Sequence, residues 1–209
     1  MSEHVLTDGT CIRIRPVTPD DGPLLRAAWN RLSPASRHRR FFGGLSSLSD
    51  EMVRYLTHVD GKDHIALAAV LDSPDLKFET GLGVARCFRL KEAPDVAEAA
   101  VTIVDEWQGK GLGRLLASSL AEVAHAAGIK RFRGEALKDN VPLCALLSDL
   151  GIVPTPTDEG TVVFEVDIQG VGREPASPRP LRRWMRAVVT TLEGAVNTLG
   201  FLPHPEQER

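Results

Sequence analysis

Residues 108–113 read Gln-Gly-Lys-Gly-Leu-Gly, and they stand between an apolar segment and a long amphipathic one. The apolar segment, Ala97–Val104, predicts a strand. After the glycines, apolar residues recur every three to four positions, which predicts a helix. A glycine-rich turn that enters a helix exposes backbone N–H groups and the positive end of the helix dipole. We therefore expect an anion-binding loop, suited to a phosphate or pyrophosphate.

Three phosphate-binding motifs compete for this loop. A P-loop requires Ser or Thr after Gly-Lys, but Gly111 follows Lys110. A dinucleotide fingerprint requires Gly-x-Gly-x-x-Gly near the start of a βαβ domain, and neither the spacing nor the position agrees. The third motif, Gln/Arg-x-x-Gly-x-Gly/Ala, is matched by Gln108, Gly111 and Gly113. A tight turn that binds no ligand remains the alternative, because short glycine motifs also arise by chance.

Outward from this loop, hydrophobic periodicity predicts a mixed α/β domain over residues 11–168. A helix begins at Thr18-Pro19, and a second begins after the N-cap Ser49. Short connections between the strands before the loop suit antiparallel pairing, and the strand–loop–helix–strand order after it suits a parallel pair. The predicted strands are Cys11–Val17, Ile65–Leu71, Gly81–Leu90, Ala97–Val104, Lys130–Leu137 and Thr161–Ile168, and the predicted helices include Asp50–His58, one ending at Gly128, and Pro142–Leu150.

The carboxyl-terminal region has a different composition. Residues 169–179 are rich in Gly, Pro and Arg and predict a linker. Residues 180–201 carry large apolar side chains at helical spacing and predict an amphipathic helix. An exposed apolar face of that size favours aggregation, so we expect the helix to pack against another surface. Its own domain or a homodimer is favoured, and a separate partner or a membrane face, which the basic end Arg182–Arg186 would suit, are the alternatives.

Composition excludes several classes of protein. The chain has 209 residues, of which 43% are hydrophobic and 25% charged, which is ordinary for a globular domain. Its net charge of −3 provides no field that would attract nucleic acid. Three cysteines without metal-ligand spacing indicate neither a zinc site nor a disulfide framework, so we expect no metal. The absence of a signal-like or membrane-length apolar run predicts a cytoplasmic protein without a membrane partner.

Over about residues 11–168 the chain resembles the GNAT superfamily of acyltransferases. The order of strands and helices matches, and the nearest resemblance is to the GNAT domains of bacterial protein-lysine acetyltransferases of the Pat type. The matching segments, in chain order, are Arg39–Phe42, Ala97-Glu98-Ala99-Ala100, Gln108–Gly113, and Lys138-Asp139-Asn140 followed by Gly151-Ile152. The resemblance implies the GNAT fold, a central mixed sheet flanked by helices, here with an added carboxyl-terminal helix.

The resemblance also implies that acetyl-CoA is the acyl donor. Its pantetheine arm would pair with the backbone of Val101, Thr102 and Ile103, and Asn140 would contact the cofactor on the parallel-strand side. Its pyrophosphate would bind backbone N–H groups of Gly109, Lys110, Gly111, Leu112, Gly113 and Arg114.

Glu98 is the candidate catalytic residue. A lysine amine has a pKa of about 10.4, so a general base assists its attack at neutral pH. Glu98 is an acid in an otherwise apolar strand and matches the base of the Pat-type family, although alternation along the strand leaves its face open. Many members of the superfamily use a tyrosine acid seven residues after the Asn. That position is Leu147 here, and the single tyrosine of the chain is Tyr55.

The sequence leaves the acceptor open. A protein lysine follows from the resemblance, and a small-molecule amine is the alternative enzymatic substrate. Because the usual tyrosine acid is missing, a non-catalytic module that binds or senses acyl-CoA is a third hypothesis.

Overall fold

The computed structural model describes residues 2–6, 8–41, 47–71, 79–137, 153–158 and 160–169, with the backbone alone at 38–41 and 136–137. The predicted helices at 142–150 and 180–201 lie outside these ranges, as do almost all residues of the predicted linker.

The amino-terminal half contributes two strands and three helices to the described structure. Asp21 accepts a hydrogen bond from the backbone N–H of Thr18 at 2.7 Å, and this contact caps the start of the first helical turn. The Ser49 side chain accepts from the N–H of Met52 at 3.1 Å, so the predicted N-cap is confirmed. The elements are β1 Ser2–Val5, β2 Cys11–Pro16, a 3-10 turn Pro19–Asp21, α1 Gly22–Asn30, α2 Pro34–Phe41 and α3 Asp50–Thr57.

The second half begins with long strands and contains the predicted loop. Gly128 follows the end of the long helix with a φ of 87°, the left-handed conformation expected of a glycine that ends a helix. The elements are β3 His64–Leu71, β4 Thr80–Arg89, β5 Val96–Ile103, a 3-10 turn Asp105–Trp107, α4 Leu112–Ala126, β6 Arg131–Leu137, β7 Thr155–Pro156 and β8 Thr161–Asp167.

Within the described ranges these strands form one mixed sheet. Their order is β1-β2-β3-β4-β5-β6-β8-β7. β5 and β6 run parallel, connected through α4, whereas the other neighbours are antiparallel. The predicted mixed sheet and its single parallel pair are therefore confirmed.

Helices cover both faces of the sheet. Leu112, Leu116 and Leu120 of α4 are at most 1% exposed and pack on the face that carries Ala97 and Ile103 of β5. α1 and α3 cover the opposite face with smaller clusters around Trp29, Leu56 and Val104 on one side and Ala66, Ala68 and Val70 on the other. Burial on both faces explains why the central strands are almost continuously apolar.

Candidate active site

The glycine loop connects the end of β5 to the start of α4. Gly109 and Gly111 have φ values of 76° and 80°, in the left-handed region that side chains disfavour. A Cβ atom placed on Gly109 would meet no atom within 4 Å, so the backbone of the loop is open on that side. The glycines thus provide a sharp turn and leave its backbone accessible.

Gly111 is the N-cap of α4 and has no side chain with which to cap the helix. The backbone N–H of Leu115 donates to the Gly111 carbonyl at 3.2 Å, which makes Leu115 the first residue bonded within the helix. The preceding N–H groups, those of Leu112, Gly113 and Arg114, lie at the positive end of the helix dipole. This arrangement suits an anionic group such as a pyrophosphate.

Side chains hold the loop against the sheet and against the β1–β2 turn. Gln108 donates from Nε2 to the Ile103 carbonyl at 3.2 Å. The Lys110 ammonium lies 3.1 Å from an Asp8 carboxylate oxygen and 4.4 Å from the centre of the Trp107 ring. Hydrogen bonds from Thr10, and then from Lys110, lower the pKa of Asp8 to about 2. The Lys110 side chain therefore points to the β1–β2 turn.

The parallel strands β5 and β6 pair over a short distance. The register joins Val96 to Arg131, Ala97 to Phe132 and Glu98 to Arg133. From residue 99 to residue 103, β5 continues along β4, and the ladder to β6 has ended. The segment that contains Val101, Thr102 and Ile103 thus follows the last β5–β6 pair and leads into the glycine loop.

Glu98 lies on the face of the sheet that α1 and α3 cover. Ala97, Ala99, Val101 and Ile103 pack into the core under α4, so the alternate side chain of Glu98 points to the opposite face. The structure therefore defines the face of the sheet on which the Glu98 side chain lies, which the sequence did not determine.

The electrostatic surroundings of Glu98 raise its pKa. Burial is the main cause, and the carboxylates of Glu135 and Glu92 add to it, while the guanidinium of Arg133 opposes it. A partly buried carboxylate of this kind is a better proton acceptor than an exposed one. This is the property that a general base requires.

Aromatic and basic side chains continue the same face on β3 and β4. Phe88, the β4 neighbour of Glu98, stacks on His64 with ring centres 4.1 Å apart and on Tyr55 at 5.7 Å. His64 Nε2 lies 3.2 Å from Nη1 of buried Arg86, which can only donate, so His64 accepts at Nε2. Burial, and then Arg86, lower the pKa of His64 to about 4. His64 is therefore neutral at pH 7.

An apolar cleft lies between α1, α3 and the sheet, on the same side as Glu98. Its volume is about 880 Å³ when the space open to solvent is included. Leu24, Trp29, Leu56 and Val104 contribute to its walls, and Arg86 is among its polar lining residues. The cleft gives this side of the sheet room for a substrate next to β5.

Several predicted residues lie outside the described ranges. Asn140, proposed to contact the donor, is one of them, and so is Leu147, which stands where a tyrosine acid is common. Among the residues that are described, no cluster of three or more His, Cys, Asp or Glu side chains is placed to hold a metal ion. The same part of the chain has no helix long and apolar enough to cross a bilayer.

Sequence reasoning missed Arg133, Arg86 and His64 as neighbours of the site. The signal for Arg133 was present in the alternation Arg131-Phe132-Arg133-Gly134-Glu135, which places three charged side chains on one face of a strand. That these charges face Glu98 depends on the β5–β6 register, which local patterns do not reveal.

The fold and the loop agree with a known family. Residues 12–153 match the profile described as "Acetyltransferase (GNAT) domain". The chain belongs to this GNAT family, so the family and fold predicted from the sequence are confirmed.

Individual relatives support the same assignment. The chain is 30% identical over 174 residues to "Acetyltransferase Pat" of Mycolicibacterium smegmatis, a match that covers 81% of this chain and 50% of that protein. It is 32% identical over 164 residues to "Acetyltransferase PA5475" of Pseudomonas aeruginosa, covering 77% and 86%. The chain thus spans half the length of the first relative and most of the second.

A solved structure shows the same fold. The crystal structure of the GNAT domain of S. lividans PAT superposes with a TM-score of 0.68 at 31% identity, over 79% of this chain and 96% of that domain.

Proposed function

We propose that the protein transfers the acetyl group of acetyl-CoA to an amine, with Glu98 as the general base. The observation that carries the proposal is the environment of Glu98. Its partly buried carboxyl, with a raised pKa, stands at the last β5–β6 pair, on the side of the sheet that carries the apolar cleft. An amine approaching on this side would meet the base next to the strand that is proposed to hold the donor.

Donor binding is assigned to backbone groups. The pyrophosphate would accept hydrogen bonds from N–H groups of residues 109–114, where two glycines in the left-handed conformation open the loop. The pantetheine arm would lie along residues 101–103 of β5, beyond the end of the ladder to β6. We assign Asn140 a contact on the parallel-strand side.

The reaction is a direct transfer in a ternary complex. The neutral amine attacks the thioester carbonyl, a C–N bond forms, and the C–S bond breaks as CoA leaves as a thiolate. The proton lost by the ammonium passes to the Glu98 carboxylate, through a water. As the amide forms, the nitrogen loses its second proton to solvent, and the thiolate takes up a proton from solvent; a thiol pKa of about 8.5 makes it a tolerable leaving group. Glu98 then returns its proton to solvent, so that one proton is released for each acetyl group transferred.

The acceptor that we propose is a lysine of a protein, in keeping with the resemblance to Pat-type enzymes. Carboxylates next to Glu98, those of Glu135 and Glu92, give this side of the sheet a charge that attracts an ammonium group.

Intact-mass spectrometry tests the acceptor class. The protein is incubated with acetyl-CoA and either a lysine-rich polypeptide or a panel of diamines and amino sugars, and free CoA is measured in parallel. We expect a gain of acetyl groups on the polypeptide together with equivalent CoA release. CoA release with small amines alone would assign the protein to small-molecule acetylation. Binding of acetyl-CoA without turnover in any mixture would overturn the enzymatic proposal.

A further inference from the structure

The surroundings of Glu98 contain more charge than base chemistry alone requires. Glu98 pairs in register with Arg133 of β6, and Arg133 pairs with Glu165 of β8. Residues that are paired across neighbouring strands point to the same face, about 5 Å apart. The three side chains therefore form a row, carboxylate–guanidinium–carboxylate, on the acceptor side of the sheet.

Charge pairing within the row leaves Arg133 partly uncommitted. Glu165 receives Nη1 of Arg131 at 2.8 Å as well as Nη2 of Arg133 at 3.2 Å. Asp95 is likewise within reach of two cations, Arg131 at 3.6 Å and Lys130 at 4.0 Å. Three cations thus share two carboxylates: Arg131, Arg133 and Lys130 contact Glu165 and Asp95. Glu98 is the next carboxylate in the row.

The Nε atom of Arg133 points to the same conclusion. It is buried and has no hydrogen-bond partner among the residues that the structure describes. A buried guanidinium donor without an acceptor is costly, and a neighbouring carboxylate is its strongest partner. Glu98, in register with Arg133 on the neighbouring strand, supplies the adjacent carboxylate.

Other charged groups around Glu98 do not substitute for Arg133. On β4 and β3 the nearest are Arg86, which donates to the Leu56 carbonyl and to His64, and His64 itself, which is neutral. Tyr55 of α3 stacks over His64 and carries no charge at neutral pH, since burial raises its pKa. On β6 and in the turn before β5, Glu135 and Glu92 are negative and favour the protonated form of Glu98.

We propose that Arg133 is a positioning residue for Glu98: its guanidinium holds the carboxylate as an anion and orients it towards the arriving amine. The inference rests on the proposed role of Glu98 as the base. Without Arg133, burial and two carboxylates would act on Glu98 unopposed, so less of it would be ionised at neutral pH.

Titration of the Glu98 carboxyl, followed by ¹³C NMR, tests the proposal without an activity assay. The Glu98 resonance is assigned as the one that disappears in Glu98→Gln. The variants are Arg133→Met, which removes the charge, and Arg133→Lys, which keeps it. Arg131→Met is the matched control, because Arg131 also binds Glu165 but is in register with Val96.

We expect Arg133→Met to raise the Glu98 midpoint by about one pH unit, the usual effect of losing an adjacent opposite charge. In Arg133→Lys, which keeps the charge, the midpoint should stay close to the wild-type value. Arg131→Met should change the midpoint much less than Arg133→Met. In turnover assays of Arg133→Met, the acid limb of the pH profile of kcat/KM should move to higher pH by the same amount as the Glu98 midpoint. The affinity for acetyl-CoA should stay the same.

The proposal is overturned if the Glu98 midpoint in Arg133→Met equals that of the wild type, or if Arg131→Met shifts it as much. Should Arg133→Met fail to fold, Arg133→Gln and Arg133→Lys provide the same comparison of neutral against charged. If the midpoint moves as expected but Glu98→Gln retains full activity, the proposed base is wrong and the Arg133–Glu98 coupling still stands.

Discussion

Ser33 and Asp105 join the two halves of the site. The backbone N–H of Ser33 donates to one carboxylate oxygen of Asp105 at 2.9 Å, and its hydroxyl donates to the other at 2.8 Å. Ser36 adds a hydroxyl bond of 2.8 Å to the same carboxylate. Asp105 lies in the turn that precedes the glycine loop, and Ser33 lies between α1 and α2. The proposed donor site and the helices of the proposed acceptor side are thus held together by the Asp105 side chain.

Replacing Asp105 by Ala should lower the free energy of unfolding by about 2 kcal/mol, because three donors lose a charged acceptor. Its neighbour Glu106 forms an ion pair with Arg31 and is half exposed, so Glu106→Ala should cost less than about 1 kcal/mol. Urea denaturation of both variants measures the difference. Equal costs would show that the Asp105 hydrogen bonds contribute no more than a surface ion pair.

The contribution of Asp105 to the free energy of unfolding depends on pH. Although burial favours the neutral acid, the hydrogen bonds from Ser33 and Ser36 lower the pKa of Asp105 below its ordinary value. Its stabilising effect is therefore present above the unfolded pKa and is lost as the pH falls through the folded one.

Replacing Gly111 by Val should abolish acetyl-CoA binding. A β-branched side chain cannot adopt a φ of 80° without strain, and it would occupy the space above the helix amino terminus. Gly128→Val is the matched control, since Gly128 has a φ of 87° at the other end of α4 and an added Cβ there meets nothing. Calorimetry should show normal binding by Gly128→Val and none by Gly111→Val. Unchanged binding by a folded Gly111→Val would place the pyrophosphate elsewhere.

His64 should make the protein sensitive to acid. Its pKa is lowered from 6.5 to about 4 by burial and by Arg86, so between these values the unfolded chain binds more protons than the folded one. The free energy of unfolding therefore falls as the pH drops from about 6.5 to about 4.

Chemical denaturation at several pH values checks this expectation. His64→Gln keeps an acceptor for Arg86 but cannot titrate, so its stability should depend less on pH in this range. His58→Gln, at the exposed end of α3, controls for the loss of a histidine. A slope in His64→Gln as steep as in the wild type would contradict the assignment.

The two described cysteines should differ sharply in reactivity. Cys11 is exposed, whereas Cys87 is fully buried and its pKa is raised to about 12 by burial. The thiolate is the reactive form, so native alkylation at pH 8 should modify Cys11 and spare Cys87. Peptide mapping by mass spectrometry distinguishes the sites, and denaturant should release Cys87. Rapid native labelling of Cys87 would show that β4 opens readily.

Much of the fold was predictable because its signals are local. The strand before the loop, the glycines and the helix after them follow from apolar periodicity and from the conformations that glycine allows. β1 was not predicted, since Ser2–Val5 is short and polar and forms a strand by pairing with β2. α2 was also missed, because Pro34–Phe41 carries several arginines and no apolar stripe.

The candidate site was proposed from the sequence on the strength of the family motif. Glu98 was proposed from a match of residue types, but its face was ambiguous because β5 is buried on both sides and lacks alternation. Arg133 was recognised as a neighbour of Glu98 only from the pairing of β5 with β6, two strands that are separated in the chain by α4. Electrostatic partners of this kind depend on tertiary pairing, which a local pattern does not encode.

The central claim is that Glu98 is the general base. The most direct test is the single-turnover rate of Glu98→Gln near pH 7, measured with the acceptor that gives the fastest CoA release in the wild type. Glutamine keeps the size and hydrogen bonding of the side chain but cannot take a proton. The rate should fall about 10²–10⁴-fold while acetyl-CoA affinity is unchanged, and part of it should return at high pH, where more amine is neutral. Glu122→Gln, which alters an exposed carboxylate on α4 and therefore on the other side of the sheet, should keep close to the wild-type rate. A wild-type rate in Glu98→Gln, or a loss of folding or donor binding in place of rate, would contradict the claim.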